Sequence, residues 1–254
     1  MKIGWSSAVV VGAVLLTACG PEPGDIAVEP TEESGQSLTW EDFLGMIYQE
    51  PNQDIFVVNG DEPIYGAKNL RDFFEQLPKE GTLIVNTSGG VDTRWTASQA
   101  SNLTYCVSTG FGEKYEEMVA AMNDAVGAWE DAAAIDFVHM AGEDDNCRAS
   151  NTQVLFDVRP IDASGQYLAR AFFPNAPRSA RNILLDATSF EVEAPLTLRG
   201  ILRHELGHVL GFRHEHTRPE AGACFEDNNW RALTPYDSDS VMHYPQCNGT
   251  GDFS

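Results

Sequence analysis

The chain has 254 residues, of which 43% are hydrophobic, and this is enough for one sizeable domain or for a large domain and a small one. Its charge is strongly acidic, with 38 Asp and Glu against 16 Lys and Arg and a formal net charge of −22. Such a charge repels nucleic-acid phosphates and anionic lipid headgroups, so we expect no nucleic-acid partner and attribute the acidity to a solubilising surface.

Residues 1–18 are typical of an export signal. Lys2 supplies a positive start, and residues 3–16 form an apolar stretch that is too short and too lightly flanked to be a spanning helix. The stretch ends in Leu-Thr-Ala-Cys, which resembles a bacterial lipobox and implies cleavage before Cys19 and lipidation of that cysteine. An ordinary secretory signal, cut nearby after a small residue, is the alternative.

Residues 19–37 are rich in Pro, Gly, Ser and Glu and poor in large apolar side chains, which predicts a disordered tether. Gly20, rather than Asp, follows the lipidated cysteine and points by analogy to the outer membrane of a Gram-negative cell. We therefore expect an exported protein that is lipid-anchored to the cell envelope, or secreted, and that contacts a membrane only through Cys19.

Residues 38–91 are predicted to form a small pro- or accessory segment. Its predicted elements are a short helix in 38–51, two strands around an Asn59–Gly60 turn in 54–65, a second helix in 67–77 and a further strand in 81–87. The polar, glycine-containing residues 88–101 are typical of a linker or a processing region.

Residues 92–254 are predicted to form the main domain, an α+β unit. Apolar residues three and four apart predict a long helix in 113–133, and a second helix runs from about Leu196 to Leu210. Strand candidates lie in 103–108, 135–140, 152–158, 167–173 and 182–187. After Gly211, regular structure is hard to predict.

Four cysteines remain once Cys19 is assigned to lipid, and an even number in an exported chain predicts two disulfides with three possible connectivities. We favour the pairs that are local in sequence, Cys106–Cys147 and Cys224–Cys247. A four-cysteine zinc site is disfavoured because the spacings lack a C-x-x-C motif.

Residues 204–216, HELGHVLGFRHEH, hold four of the chain's six histidines. On a helix, residues four apart project from the same face, so His204 and His208 can offer two imidazole nitrogens to one metal ion. Glu205 turns partly aside, where it can reach a metal-bound water without being a ligand. A solvent-facing helix that is merely rich in histidine is the alternative, and the fixed spacing of rare residue types argues against it.

A third ligand requires the chain to turn back, because the helix itself has none nearby. Gly211 stands where a left-handed backbone conformation costs little, and His214 three residues later can complete a three-histidine site. The fourth position of such a catalytic Zn2+ site stays open for water, whose pKa the metal lowers so that Glu205 can remove its proton.

A second motif lies downstream of the histidines. Residues 235–244 read PYDSDSVMHY and place Met242 after the H-E-x-x-H-x-x-G-x-x-H pattern of residues 204–214. Together the two motifs resemble the metzincin signature, in which the methionine forms a structural hydrophobic floor beneath the metal. The resemblance implies an α+β, two-lobed zinc protease domain with a twisted, mostly parallel sheet, two long helices and an irregular C-terminal lobe.

Within the metzincins, the chain resembles the astacin-like zinc endopeptidases. Glu215 directly follows the third histidine, and TRPE at 217–220 and SVMHY at 240–244 are similar to that family's pattern. The helix ending near Trp129 and the following IDFV also resemble its N-terminal half, so the resemblance covers roughly residues 92–247.

The resemblance implies a role for each matching position. His204, His208 and His214 bind one Zn2+, and Glu205 acts as general base and then as general acid. Tyr244 is a fifth, swinging ligand that stabilises the oxyanion when substrate displaces it. A packed tyrosine with a satisfied hydroxyl is the alternative for Tyr244.

Other residues near the motif are expected to be structural. Glu215 anchors the region after the turn, and His139, His216 and His243 lack the placement that ligation needs. The strand in 166–173, QYLARAFF, is the expected sheet edge along which an extended peptide pairs as an added strand.

Two features depart from the family pattern. The sequence ends at Ser254, ten residues after Tyr244, where metzincin domains normally continue into a C-terminal helix, so either that helix is absent or the sequence is a fragment. The cysteine spacing does not match the usual astacin pairs, so no connectivity can be transferred from the family.

The Asn59–Gly60 turn raises one further hypothesis. Astacin-like zymogens resemble one another in an F-x-G-D motif whose aspartate occupies the zinc in place of water. Residues 58–61, VNGD, differ at the aromatic position, although a carboxylate such as that of Asp61 is a good zinc ligand. The turn residues favour the alternative, an exposed aspartate in a hairpin turn.

These features predict a zinc-dependent endopeptidase that acts on proteins or peptides as a monomer. The alternative is a lipid-anchored extracytoplasmic binding protein with a non-catalytic zinc site, and Glu205 argues against it because a structural site has no need of that carboxylate. Arg213 and the loop of residues 222–230, GACFEDNNW, are the candidates for substrate specificity.

Overall fold

A computed structural model of the protein describes residues 40–45, 47–75, 85–224, 226, 229–251 and 253. The predicted signal peptide, the lipidation site Cys19 and the tether lie outside these residues. None of the helices in the described part of the chain combines the length and the apolar character that crossing a membrane requires.

The segment before the main domain has its own apolar core. Its elements are helix α1 (Trp40–Leu44), strands β1 (Tyr48–Gln49), β2 (Ile55–Val58) and β3 (Glu62–Tyr65), and helix α2 (Ala67–Glu75). The strands form an antiparallel sheet in the order β1-β2-β3, packed with Phe43 and Leu70 of the helices. Helix α1 is shorter than predicted, because residues 48–49 pair with β2 instead of continuing the helix.

The predicted turn between β2 and β3 is confirmed. Asn59 and Gly60 both have positive φ, 56° and 98°, which is the backbone of a tight hairpin whose twist matches the flanking strands. Val58 pairs with Glu62 across this turn, so Asp61 stands at its tip.

The stretch predicted as a linker holds more regular structure than expected. Strands β4 (Val85–Ser88) and β5 (Val91–Asp92) pair antiparallel, and helix α3 (Ala97–Ala100) follows. Thr96 and Gln99 cap α3 reciprocally, and the buried Trp95 donates its indole N–H to the Val209 carbonyl at 2.8 Å. These contacts tie the stretch to the main domain.

The main domain is built on a five-stranded sheet. Its strands are β6 (Leu103–Val107), β7 (Phe137–His139), β8 (Phe156–Ile161), β9 (Ala169–Arg170) and β10 (Asn182–Asp186). The order is β7-β6-β8-β10-β9, and all neighbours are parallel except β9, which pairs antiparallel with β10 at the edge. The strand predicted in 167–173 is only two residues long, and in the sheet it pairs with β10 alone.

Two long helices pack against each other and against this sheet. Helix α4 (Tyr115–Ala132) buries Met118, Met122, Ala125 and Val126, which are spaced three or four apart. Thr197 caps the start of helix α5 (Leu198–Leu210) by accepting the Gly200 N–H, and Gly211 caps its end. Each fully buried large apolar side chain contributes about 1.5–3 kcal/mol, so this interface is a main source of stability. The predicted α+β architecture is confirmed.

The chain after α5 is mostly irregular, as predicted. Besides short 3-10 turns, its described residues contain strand β11 (Trp230–Arg231), which pairs antiparallel with β4. Both favoured disulfides are formed, Cys106–Cys147 and Cys224–Cys247, with Cα–Cα distances of 5.6 and 5.5 Å. The second disulfide links two parts of this irregular region.

Candidate metal centre

Helix α5 presents two of the three predicted histidine ligands. His204 and His208 are buried, and their Nδ1 atoms lie 2.7 Å from the backbone carbonyls of Val241 and Phe212. Because Nδ1–H donates to a carbonyl in each ring, the Nε2 lone pairs face the same interior point. Burial lowers the pKa of His204 to about 4, which favours the neutral imidazole that a metal needs.

The turn at Gly211 brings the third histidine to the same point. Gly211 has φ 105°, and a Cβ there would meet the Thr93 carbonyl oxygen at 2.5 Å, so the position accepts only glycine. Past this turn, His214 places its Nε2 3.1 Å from that of His204 and 3.3 Å from that of His208. The three predicted ligands therefore converge.

Asp61 lies against all three converging imidazoles, and the expectation of an exposed aspartate is wrong. Only 3% of the residue is exposed. Its carboxylate oxygens lie 3.2 Å from Nε2 of His204, 3.6 Å from that of His208 and 3.1 Å from that of His214. The turn chemistry is as predicted, but the tip of the hairpin lies against the main domain rather than in solvent: a Cβ at Gly60 would lie 3.3 Å from the Tyr244 hydroxyl.

This donor set fits a zinc ion. Three imidazole nitrogens and one carboxylate are ligands that Zn2+ takes, and ligands about 2.0–2.1 Å from a tetrahedral ion lie roughly 3.3–3.4 Å apart. The separations of 3.1 to 3.6 Å among these donors are close to that value. One oxygen of Asp61 and one of Glu205 are buried without a hydrogen-bond partner among the described residues, as expected where a cation belongs.

Glu205 lies beside the histidines and is 2% exposed. Burial raises the pKa of its carboxyl well above the usual range, and the nearby charge of Asp61 adds to the rise. Glu205 lines a cleft of about 230 Å³ together with Asp61, His204, Tyr244 and residues 166–169 beside the sheet edge. The predicted general base and the predicted peptide-binding edge thus share one cavity.

Met242 lies beneath helix α5, as the Met-turn motif predicts. It is 4% exposed, and a Cβ on Gly207 would meet its sulfur at 2.2 Å, so the close packing requires glycine at 207. The Met242 carbonyl accepts the Glu215 N–H at 2.8 Å, which joins the turn to the residue after the third histidine.

The Tyr244 hydroxyl points at the centre of the site. It donates to Asp61 Oδ2, and the ring stacks on His204 with centroids 5.2 Å apart. Burial raises the pKa of this phenol well above its usual value, and Asp61 reinforces the effect. The hydroxyl has a hydrogen-bond partner, but that partner is the Asp61 carboxylate beside the three imidazoles.

The remaining histidines have partners of their own. His243 Nε2 lies 2.9 Å from the Tyr236 hydroxyl, and His139 lies 3.0 Å from the Asp144 carboxylate. His216 stacks on His214 and contacts Glu226 at 3.1 Å. None of the three belongs to the group formed by Asp61 and the three converging histidines.

Glu215 is held as an anchor after the turn. Its carboxylate accepts the Asp237 N–H at 2.9 Å and lies 3.3 Å from Arg218 Nε. Burial raises the pKa of Glu215 to about 7, which the Asp237 N–H and the Arg218 charge only partly oppose. Its contacts face the Met-turn loop rather than the converging imidazoles.

Three buried carboxylates at the site were not found by sequence reasoning. Glu226 lies 2.5 Å from Nδ1 of His214, Glu62 lies 2.9 Å from Arg213 Nη2, and Glu50 lies 2.5 Å from Arg170 Nε. Arg213, a candidate for substrate specificity, is buried between Glu62 and Glu226. No motif spacing connects these three acids to the histidines. For Glu226, the only hint in the sequence was Cys224 in the loop of residues 222–230, whose disulfide would hold that loop in place.

The fold and the site together define a metzincin-type zinc metalloprotease. The family model of matrixin, the M10 peptidases, matches residues 94–223, which is just over half of the chain, and the chain belongs to this family. The match begins upstream of α4 and ends beyond the third histidine.

Curated relatives agree with this class. The chain is 27% identical over 161 residues to bone morphogenetic protein 1 of Xenopus laevis, covering 56% of this chain and 20% of that protein. It is 28% identical over 144 residues to human tolloid-like protein 1, covering 49% and 12%. A stretch of 64 residues is 42% identical to the astacin-like metalloendopeptidase of Coturnix japonica, covering 18% and 15%.

The alignments span a fifth or less of the length of these curated relatives. Among solved structures, myroilysin aligns with a TM-score of 0.40 and 16% sequence identity, covering 60% of this chain and 80% of that one.

Proposed function

We propose that this chain is a zinc-dependent endopeptidase and that residues 38–91 hold it in a latent state. The observation that carries the proposal is the convergence of three imidazole Nε2 atoms beside the buried carboxylate of Glu205. His204, His208 and His214 would hold the ion. Zinc, when bound, supplies a Lewis acid that makes a water nucleophilic near neutral pH.

The chain's own residues would then handle the protons and the substrate. Glu205 accepts the proton of the attacking water and delivers it to the leaving amine. The Tyr244 hydroxyl, which now donates to Asp61, is free to donate to the oxyanion once that aspartate has left. Strand β9 has one partner in its sheet, so an extended peptide can pair along its other edge.

Latency would arise because Asp61 takes the place of the nucleophile. Its carboxylate lies where water must enter, and its partners are the three histidines and Tyr244. In this state burial, and then the nearby charge of Asp61, keep the pKa of Glu205 well above its usual value.

Two buried ion pairs would hold the segment in place. Glu50 contacts Arg170 and Glu62 contacts Arg213, and the side chains of all four are at most 4% exposed. Together with Asp61, three acids of one segment face basic or histidine groups of the main domain. Removal of the segment would open the site as a whole.

The proposed substrates are proteins or peptides in extended conformation, bound by a monomer. Disulfides are consistent with an exported protein, and we propose that Cys19 carries the lipid anchor at the cell envelope. A binding protein with a structural zinc site is not favoured, since burying the unpartnered Glu205 oxygen would only cost stability there.

The proposal is tested with purified protein, before and after limited proteolysis of residues 38–91, incubated with a library of peptides. We expect cleavage that requires removal of the segment, stops on addition of a zinc chelator and is restored by added zinc. Glu205→Ala should abolish cleavage, whereas Glu220→Ala, at an exposed acid of the same region, should not. Cleavage that survives both the chelator and Glu205→Ala would contradict the mechanism.

A further inference from the structure

The third histidine of the metal centre has a partner unlike those of the other two. His214 Nδ1 lies 2.5 Å from Oε1 of Glu226, and both side chains are buried, with 0% and 3% exposed. His204 and His208 instead donate to the backbone carbonyls of Val241 and Phe212. A bond to a carboxylate is roughly twice as strong as one to a neutral carbonyl.

Glu226 also forms hydrogen bonds with other side chains around His214. Its Oε1 lies 3.1 Å from Nε2 of His216, while its Oε2 accepts from Thr217 Oγ1 at 2.7 Å and from Arg213 Nη2 at 3.2 Å. Among the described residues, the four partners of this carboxylate therefore all come from residues 213–217. Those residues form only a short 3-10 turn, so side-chain contacts must hold them.

Described residues before and after Glu226 are held by a disulfide and by strand pairing. Two residues before it, Cys224 is joined to Cys247, which lies three residues after Tyr244. After it, Trp230 pairs with Asn86 of strand β4 in the unprocessed chain. The disulfide thereby connects the loop that supplies Glu226 to the turn that supplies Tyr244.

We propose that Glu226 is a positioning residue for the zinc site: its carboxylate orients His214, fixes the proton on Nδ1 and so directs the Nε2 lone pair at the metal. Acceptors of this kind set the tautomer and the basicity of a metal-bound histidine, and their loss weakens metal affinity about 10–100-fold. The proposal rests on the zinc-dependent function above. It adds a residue that does not bind the metal itself and acts on it through His214.

A second metal ion held by His214, His216 and Glu226 is the competing interpretation of the same cluster. The Nδ1 and Oε1 atoms lie 2.5 Å apart, which is closer than an ordinary hydrogen bond and leaves no room for an ion that both atoms would coordinate. The cluster is therefore assigned to hydrogen bonding.

The first test uses the unmodified, zinc-loaded full chain with ¹⁵N-labelled histidine. NMR of the side chains should show three zinc-bound imidazoles whose Nδ1–H protons are retained. One of them, that of His214, should resonate well downfield of the other two because a carboxylate accepts it. Three equivalent Nδ1–H signals would overturn the proposal, and no variant has to fold for this result.

The second test compares Glu226→Gln with Glu220→Gln, an exposed acid six residues away that loses the same charge. Competition with a chromogenic chelator should show zinc binding weakened about 10–100-fold in E226Q and unchanged in E220Q. Cobalt-substituted E226Q should also have an altered visible absorption spectrum. Thr217→Val removes one hydrogen bond to Glu226 but leaves His214 intact. Its zinc affinity should lie between those of E226Q and E220Q.

The outcomes separate this proposal from the function on which it rests. If the wild-type chain binds no zinc, the proposed function fails and this inference fails with it. If the wild type binds one zinc ion and folded E226Q binds it equally well with an unchanged cobalt spectrum, only the role of Glu226 is refuted. Two zinc ions per wild-type chain, with the second lost in E226Q, would establish the competing interpretation.

Discussion

Arg170 and Glu50 form an ion pair in which both side chains are almost completely buried. The guanidinium Nε lies 2.5 Å from the carboxylate, and the two side chains are 1% and 0% exposed. Asn182 accepts a further hydrogen bond from Arg170, and Tyr167 contacts Glu50. Since Arg170 lies on the edge strand and Glu50 precedes the main domain, this pair fastens the proposed latency segment beside the cleft.

Glu50→Gln should strongly destabilise the full chain. It leaves Arg170 as an uncompensated buried charge, which costs about 3–5 kcal/mol in the free energy of unfolding. Glu75→Gln is the matched control, because it breaks an exposed ion pair with Arg71 in the same segment and should cost at most about 1 kcal/mol. Urea denaturation measures both, and equal losses would show that the buried pair has no special role.

Asp61→Ala should raise the activity of the unprocessed chain. Loss of about 1.4 kcal/mol of binding at the metal centre corresponds to about a tenfold larger open fraction, and the effect should grow when Glu50→Gln is added. Initial rates on an internally quenched peptide provide the measurement. The exposed Asp54→Asn is the control. An unprocessed D61A chain as inactive as wild type, yet active after processing, would mean that Asp61 does not cause latency.

Tyr244→Phe should lower kcat of the processed enzyme about 10²-fold with little change in KM, because the hydroxyl is proposed to act only on the developing oxyanion. Tyr236→Phe removes a comparable hydroxyl that contacts His243 rather than the metal centre, and it should retain activity. Steady-state kinetics on a single peptide distinguish the two. Equal kcat in Y244F and wild type would leave Tyr244 with a packing role.

The stability conferred by Asp186 should depend on pH. Burial raises the pKa of this carboxyl, but hydrogen bonds from Thr188 and from the Ala163 N–H outweigh burial and lower it below 3.8. The ionised form therefore stabilises the fold above pH 3.8, and this contribution is lost as the pH falls further.

Asp186→Asn should consequently reduce the free energy of unfolding by about 1–3 kcal/mol at pH 7, and the deficit should shrink below pH 3.8. Denaturation at pH 7, 5 and 3 measures it. Asp162→Asn, at an exposed neighbour, should show no such trend. A deficit that is the same at every pH would contradict the assignment.

Some features of the site follow from the sequence because they are local. The spacing of His204 and His208 matches one helical turn, and Gly211 has the positive φ that the pattern requires. The Asn59–Gly60 turn is equally local, since the conformational preferences of two adjacent residues determine it. Both disulfides join cysteines that are close in sequence, 41 and 23 residues apart.

The position of Asp61 beside the histidines does not follow from local sequence. Turn preferences predict the backbone at Asn59 and Gly60 but not the surface that the tip of the hairpin contacts. Asp61 meets His214 across 153 residues, and Glu50 meets Arg170 across 120. No periodicity connects positions so far apart, and a carboxylate in a polar turn is usually solvated, which is why an exposed aspartate was expected.

The sequence by itself therefore predicted the three candidate metal ligands and the two long helices through spacing and turn chemistry that act over short distances. The Met-turn was predicted through the resemblance to the metzincin signature, and the sequence favoured the disulfide pairs that the structure contains without excluding the other two connectivities. Only the tertiary structure decided which acids are buried around those ligands. Burying a carboxylate is unfavourable unless a cation, a proton or several donors meet it. Whether Asp61, Glu226 and Glu50 meet such partners depends on how the hairpin, the disulfide-tied loop and the edge strand pack together.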